Sequence, residues 1–178
     1  SSPTPFVNEP PQQEEAHLGF TKPTEFVELP SKGRLYPPGH PFHMQEEVEI
    51  RFMTAKDEDI LSSKVLLSKG LALDRLLQGL LVEKVDTKTL LAGDRNALFI
   101  AARVTAYGAD YAVRVTCPAC RAEADYEFDL ASLPPKEAPE DIGTTENGTF
   151  IVNLPKTGVE VEVRHLNIKE QEYLVKNA

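Results

Sequence analysis

The chain has 178 residues, of which 41% are hydrophobic and 26% charged, with 14 prolines, two cysteines and no tryptophan. A formal net charge of -9 repels phosphate and no local cluster of Lys and Arg reverses it, so nucleic acid is not an expected partner. No stretch approaches the roughly 18 apolar residues of a membrane span, and residues 1–24 lack the basic start and apolar middle of a secretory signal; no membrane partner is expected and the chain reads as cytosolic.

This length suits one compact domain. Residues 1–24 are set apart by Pro3, Pro5, Pro10, Pro11 and Pro23, with Gln12, Gln13, Glu14 and Glu15 among them. Too few apolar groups remain to offset the entropy of ordering, so a flexible arm is predicted, with Phe6, Val7, Leu18 and Phe20 as its docking points. Residues 25–178 then form a single domain. Phe26 to Pro30 reads as a short strand that leads into a turn at Ser31, Lys32 and Gly33, and proline confines it to an edge or loop. Val48, Ile50 and Phe52 alternate with polar residues, the period of a half-buried strand.

Thr54 reads as the cap of a helix over 55–68, with Asp57, Glu58 and Asp59 as a solvated acidic start at its positive end. Leu71, Leu73, Leu76, Leu77, Leu80 and Leu81 recur at helical spacing and predict a second amphipathic helix. A short helical turn follows at 87–91. Asp94 is placed as the cap of a third helix over 95–107, burying Leu98, Ile100, Ala101, Ala102, Val104 and Thr105 and stopping at Gly108.

Tyr111, Val113 and Val115, then Ala124, Tyr126, Phe128 and Leu130, alternate as the two arms of a hairpin turned by Cys117-Pro118-Ala119-Cys120. Pro134, Pro135 and Pro139 mark a loop, and 149–154 pairs with 159–163 as a second hairpin across Lys156, Thr157 and Gly158. Asn167 caps a last helix over 168–176, and because Ala178 falls in mid-helix a C-terminal continuation is expected. Strands before and after a central group of helices do not alternate as a parallel sheet requires. The predicted class is therefore α+β: a central bundle of about three helices, antiparallel hairpins and a Cys-x-x-Cys hairpin tip.

Chemistry has few places to sit. His17, His40, His43 and His165 belong to no catalytic spacing, and the glycines form neither a GxGxxG nor a GxxxxGK[ST] phosphate loop. Cys117 and Cys120 are the exception, since two thiolates spaced by two residues at a turn can face one tetrahedral zinc. They make half a site. The remaining ligands fall to His40, His43 or His165, an acidic side chain, a partner or a C-terminal continuation. A redox role is the weaker reading, because a redox pair draws its low thiol pKa from a helix N-terminus and this one lies in a hairpin. A reduced turn without function is the third.

Several segments carry a resemblance: Phe26-Val27-Glu28-Leu29-Pro30-Ser31-Lys32-Gly33-Arg34-Leu35-Tyr36-Pro37, Met53-Thr54-Ala55-Lys56-Asp57-Glu58-Asp59-Ile60-Leu61, Gly93-Asp94-Arg95-Asn96-Ala97-Leu98-Phe99-Ile100-Ala101-Ala102-Arg103, Tyr107-Gly108 and the cysteine turn. In that order, over residues 26–130, the chain resembles the T-even-type contractile phage baseplate protein family, which holds a baseplate hub subunit and a related hub-assembly factor. The resemblance implies a virion component of the tail baseplate, built in the host cytoplasm. Its partners would be other tail proteins or further copies of itself, and it would not be an enzyme. The alternative within the same family is a transient assembly chaperone for a hub or tape-measure protein; a small zinc or thiol enzyme would rest on Cys117 and Cys120 alone. Under the resemblance, Leu29 to Gly33 and Asp94 to Asn96 are structural signatures, a turn and a helix cap, with Arg95 facing a carboxylate or a partner.

Overall fold

The computed structural model describes residues 23–133 and 143–178. The arm predicted over 1–24, except Pro23 and Thr24, and the loop at Pro134, Pro135 and Pro139 lie outside the described residues. Strand β1 (Thr24–Glu28) takes in Thr24, one residue inside the predicted arm, and pairs antiparallel with β2 (Glu47–Arg51), from Thr24↔Arg51 to Glu28↔Glu47. Val48 and Ile50 point inward and are buried as their alternation predicts, whereas Phe52 lies past the end of the strand and is exposed.

Between the two strands the chain doubles back through tight turns that bury Leu29, Tyr36 and Phe42. The Lys32 N–H donates to the Leu29 carbonyl at 2.8 Å, and the Met44 N–H donates to the Gly33 carbonyl at 3.0 Å. Gly33 has φ +69°, and a Cβ there would stand 2.3 Å from the Gln45 nitrogen and 2.5 Å from the Phe42 oxygen. Only glycine permits this approach of backbone to backbone.

The helix predicted over 55–68 is two helices, α1 (Ala55–Ser62) and α2 (Lys64–Ser68). Ser63 breaks it: its backbone is extended, with ψ 106°, and its hydroxyl accepts from the Leu66 N–H. A serine side chain competes with the helical ladder in this way and favours a cap over a helix interior. Helix α3 (Ala72–Leu80) buries Ala72, Leu76, Leu77 and Leu80, while Leu71 and Leu73 at its first turn stay exposed. Leu81 then bridges Ile50, and the Val82 N–H donates to the Glu49 carbonyl, so this short stretch extends the β1–β2 ladder on its other side.

After a 3-10 turn at Thr87–Thr89 comes α4 (Ala92–Tyr107), ended by Gly108 at φ +84°. The helix starts three residues before the predicted 95, and Leu91, not Asp94, is its N-cap. Of the six α4 side chains predicted to be buried, only Leu98 and Ala102 are, because those six positions span more of the helix circumference than the core covers. Two hairpins follow, β3 (Asp110–Thr116) with β4 (Glu123–Asp129) and β5 (Phe150–Asn153) with β6 (Glu160–Val163). The chain closes on α5 (Ile168–Asn177), capped as predicted: the Glu170 N–H donates to Asn167 Oδ1 at 2.9 Å, and the Asn167 N–H donates to Glu170 Oε2 at 3.0 Å.

The described residues thus form an α+β structure with five α-helices and three separate two-stranded antiparallel sheets. Helix α1 packs on α3, α4 lies along β1, and α5 sits on the 3-10 turn at 87–89. One core of Val27, Leu29, Tyr36, Phe42, Ile50, Leu77, Leu80, Leu90 and Leu98 holds these pieces together. The β3–β4 and β5–β6 hairpins contribute nothing to it.

Candidate functional site

The strongest polar feature joins two segments 63 residues apart. Asp94, in the first turn of α4 and only 1% exposed, accepts the Ser31 N–H at 2.9 Å through one oxygen and the Ser31 hydroxyl at 2.6 Å through the other. The Ser31 hydroxyl in turn accepts from the Gly33 N–H at 3.1 Å. Beside it, the buried Tyr36 hydroxyl accepts from the Leu91 N–H at 3.1 Å, one of the free amides at the start of α4. Burial, then the nearby Asp94 charge, raises the Tyr36 pKa so far that it stays a protonated phenol. Asp94, predicted as a helix cap, is instead a buried tie between the first turn of α4 and the turn at Ser31.

Two charge pairs brace the same body. Arg51 holds Asp57 at 2.7 and 2.8 Å, and Asp57 also accepts the Thr54 N–H at 2.8 Å and hydroxyl at 2.7 Å. The acidic start of α1 is therefore not uniformly solvated: Asp57 is 2% exposed, and the Arg51 bonds, with those from Thr54, hold its carboxyl well below the usual range. Arg95 meets a carboxylate as the resemblance implied. It donates to Asp74 at 2.6 Å and lies 5.1 Å above the Phe99 ring. Lys88 links this pair to α5 through Glu172 at 2.9 Å, which lowers the Glu172 pKa.

The candidate metal residues fall in two places. Cys117 and Cys120 come together at the tip of β3–β4, both free thiols, Cys117 half-buried and Cys120 exposed. The Cys117 N–H donates to the Ala122 carbonyl and the Arg121 N–H to the Cys117 carbonyl, each at 2.9 Å, and Arg121 takes φ +59° to close the turn. The backbone N–H groups of Cys120 and Ala119, and then the Cys120 thiol, donate to the Cys117 sulfur and lower its pKa. The histidines are engaged elsewhere. The His40 ring stacks on Tyr36 at 4.3 Å, accepts from the Phe42 N–H through Nδ1 and bonds Thr89 Oγ1 through Nε2. His43 Nδ1 donates to the Tyr36 carbonyl at 2.7 Å, and His165 lies edge-on to Phe150. Among the described residues no group of three or more His, Cys, Asp and Glu converges as a metal site.

The fold also leaves several apolar faces exposed. On β3–β4 the register puts Tyr111 opposite Phe128, Val113 opposite Tyr126 and Val115 opposite Ala124 on one face. Tyr111, Val115, Tyr126 and Phe128 there are 43–52% exposed. The α4 residues Ala97, Ile100, Ala101 and Val104, with Leu130 and Leu133, line an open groove of about 680 Å³. Ile151, Val152 and Val163 of the second hairpin and Tyr173, Leu174 and Val175 of α5 are exposed as well. The pattern at 98–105 signalled an apolar face but could not say that nothing in the described fold covers part of it. Among the described residues no helix is long and apolar enough to cross a membrane.

Buried ties at Asp94, Asp57 and Asp74 thus coexist with apolar hairpin and helix faces left open to solvent, and exposed apolar faces of this kind commonly mark surfaces for association. Residues 22–177 match the family described as T4 bacteriophage base plate protein, and the chain belongs to that family. No curated protein and no solved structure matches it.

Proposed function

We propose that the chain is a structural subunit of the baseplate hub of a contractile phage tail and acts through protein contacts during tail assembly, with no turnover of its own. Membership of the baseplate family supports a structural role at the tail and binding to other tail proteins. The observation that carries the finer reading is the placement of apolar side chains the core does not use. Tyr126 and Phe128 on one hairpin, Ile151 on the other and Val175 on the last helix each present 45–81% of their surface to solvent. Faces of this kind suit permanent burial in an assembly better than a cavity for a small molecule. The test is the composition of purified tails. A retained subunit appears at fixed stoichiometry in mature particles, and cryo-electron microscopy finds these faces covered by neighbours. Presence in arrested assembly intermediates with absence from mature tails would make the chain a transient assembly chaperone and overturn the proposal.

A further inference from the structure

The β3–β4 hairpin meets the body at its base, where Arg103 of α4 donates to the Asp110 carbonyl at 3.4 Å and lies 5.9 Å over the Tyr111 ring. Its 14 residues pair along seven rungs, yet none belongs to the buried core. An isolated two-stranded hairpin in water is marginal and needs a cover or a staple. Its two faces differ in chemistry. One carries Tyr111, Val113, Val115, Ala124, Tyr126 and Phe128. The other carries Asp110, Glu123, Asp125, Glu127 and Asp129 against Arg114, so carboxylates prevail there and copies meeting through that face would repel. At the tip Cys117 and Cys120 are both free thiols, Cys117 half-buried and Cys120 exposed, in a turn closed by the Cys117 N–H on the Ala122 carbonyl and the Arg121 N–H on the Cys117 carbonyl, each at 2.9 Å. Two sulfurs on one tetrahedral zinc stand about 3.8 Å apart, given zinc–sulfur bonds of about 2.3 Å.

We infer that the Cys117–Cys120 tip is one half of a four-thiolate zinc site completed by the same tip of a second copy of this chain, with the apolar hairpin faces packed together below the metal. A structural zinc site is closed by four ligands, and among the described residues this chain supplies two. The sequence contains no other cysteine, His40 and His43 are hydrogen-bonded elsewhere, and His165 packs edge-on to Phe150. A two-fold axis supplies an identical pair at no further cost in sequence and makes the contact self-complementary. It places the apolar face of each hairpin on its twin and turns both carboxylate-rich faces to solvent. Binding releases the thiol protons to water, so the contact tightens as pH rises.

The inference gives a partner to the contact role proposed above, but its test uses the isolated chain and no phage particle, so the two readings fail separately. The full-length protein is titrated with cobalt(II) alone, followed by light scattering and native mass spectrometry. Cobalt–thiolate charge-transfer bands are expected to saturate at one metal per two chains, together with a doubling of mass, and zinc should displace the cobalt. The Cys117→Ser, Cys120→Ser double variant loses both signals while its far-UV circular dichroism is retained. Tyr126→Lys, with both thiols in place, weakens the metal-linked dimer by about 10-fold or more. Should the serine variant unfold, the stoichiometry and mass of the unaltered chain decide alone. Saturation at one metal per chain on a monomer, thiolate bands in the serine variant, or failure to bind cobalt would each overturn the inference.

Discussion

Removing the Asp94 carboxylate tests the idea that the Ser31 turn and the start of α4 are held by one buried tie. In Asp94→Ala, the Ser31 N–H and hydroxyl lose acceptors at 2.9 and 2.6 Å in a place where Ser31 is 6% exposed. A buried donor left without a partner costs about 1–3 kcal/mol, and the loss of a negative charge in the first turn of α4 adds about 0.3–1 kcal/mol. Relief of the carboxylate's own burial offsets part of this, for a net loss of about 3 kcal/mol. Against a total stability of about 5–15 kcal/mol, that is a large fraction, equivalent to about 6–12 °C in Tm for a chain of this length. Ser31→Ala removes one of the two bonds and orphans the Gly33 N–H, so about 2 kcal/mol is expected. Because both changes break the same tie, the double variant should cost less than their sum, with a coupling of about 1–3 kcal/mol. Urea melts followed by circular dichroism and the fluorescence of the five tyrosines, undisturbed by tryptophan, measure all three variants. The reasoning fails if Asp94→Ala lies within about 0.5 kcal/mol of the unaltered protein, a range typical of surface substitutions, or if the two changes are additive.

Gly33→Ala places a Cβ 2.3 Å from the Gln45 nitrogen at φ +69°, whereas at Gly39, with φ +88°, the same change meets open space. The second should cost about 1–2 kcal/mol, the strain of the left-handed region alone, and the first at least twice that; equal losses in paired melts would contradict the packing of this turn. Acid should also destabilise the protein in two stages. Burial and the neighbouring His43 lower the His40 pKa from its ordinary 6.5, so the unfolded chain takes up the proton first and stability declines as pH drops below about 6.5. The Asp57 carboxyl, held below its ordinary 3.8 by Arg51, keeps its full contribution above that value and loses it progressively as pH falls further. Unfolding free energies measured from pH 7 to 3 should show both stages, and Asp57→Asn should flatten only the lower one.

Local patterns, read without coordinates, located the elements whose reason is local. The Cys117–Cys120 hairpin follows from alternation on both sides of a turn, the Asn167 cap from an Asn with Glu170 three residues on, and the Gly108 stop from a glycine where a helix must end. Each depends on residues within about twenty positions, where spacing and geometry are closely linked. Asp94 and Asp57 were legible as acids near helix starts but not as buried groups: Ser31 lies 63 residues from Asp94, and although Arg51 is only six residues from Asp57, whether the end of β2 turns its side chain back onto the start of α1 is set by how strand and helix pack. The break at Ser63 was equally hidden, since a serine tolerated inside a helix and one that ends it look alike until the next turn has somewhere to go. Which apolar faces stay exposed belonged wholly to the tertiary structure. Alternation and helical periodicity mark a side of an element as apolar, but whether that side meets the core, a groove or solvent depends on how elements far apart in the chain come to lie beside one another.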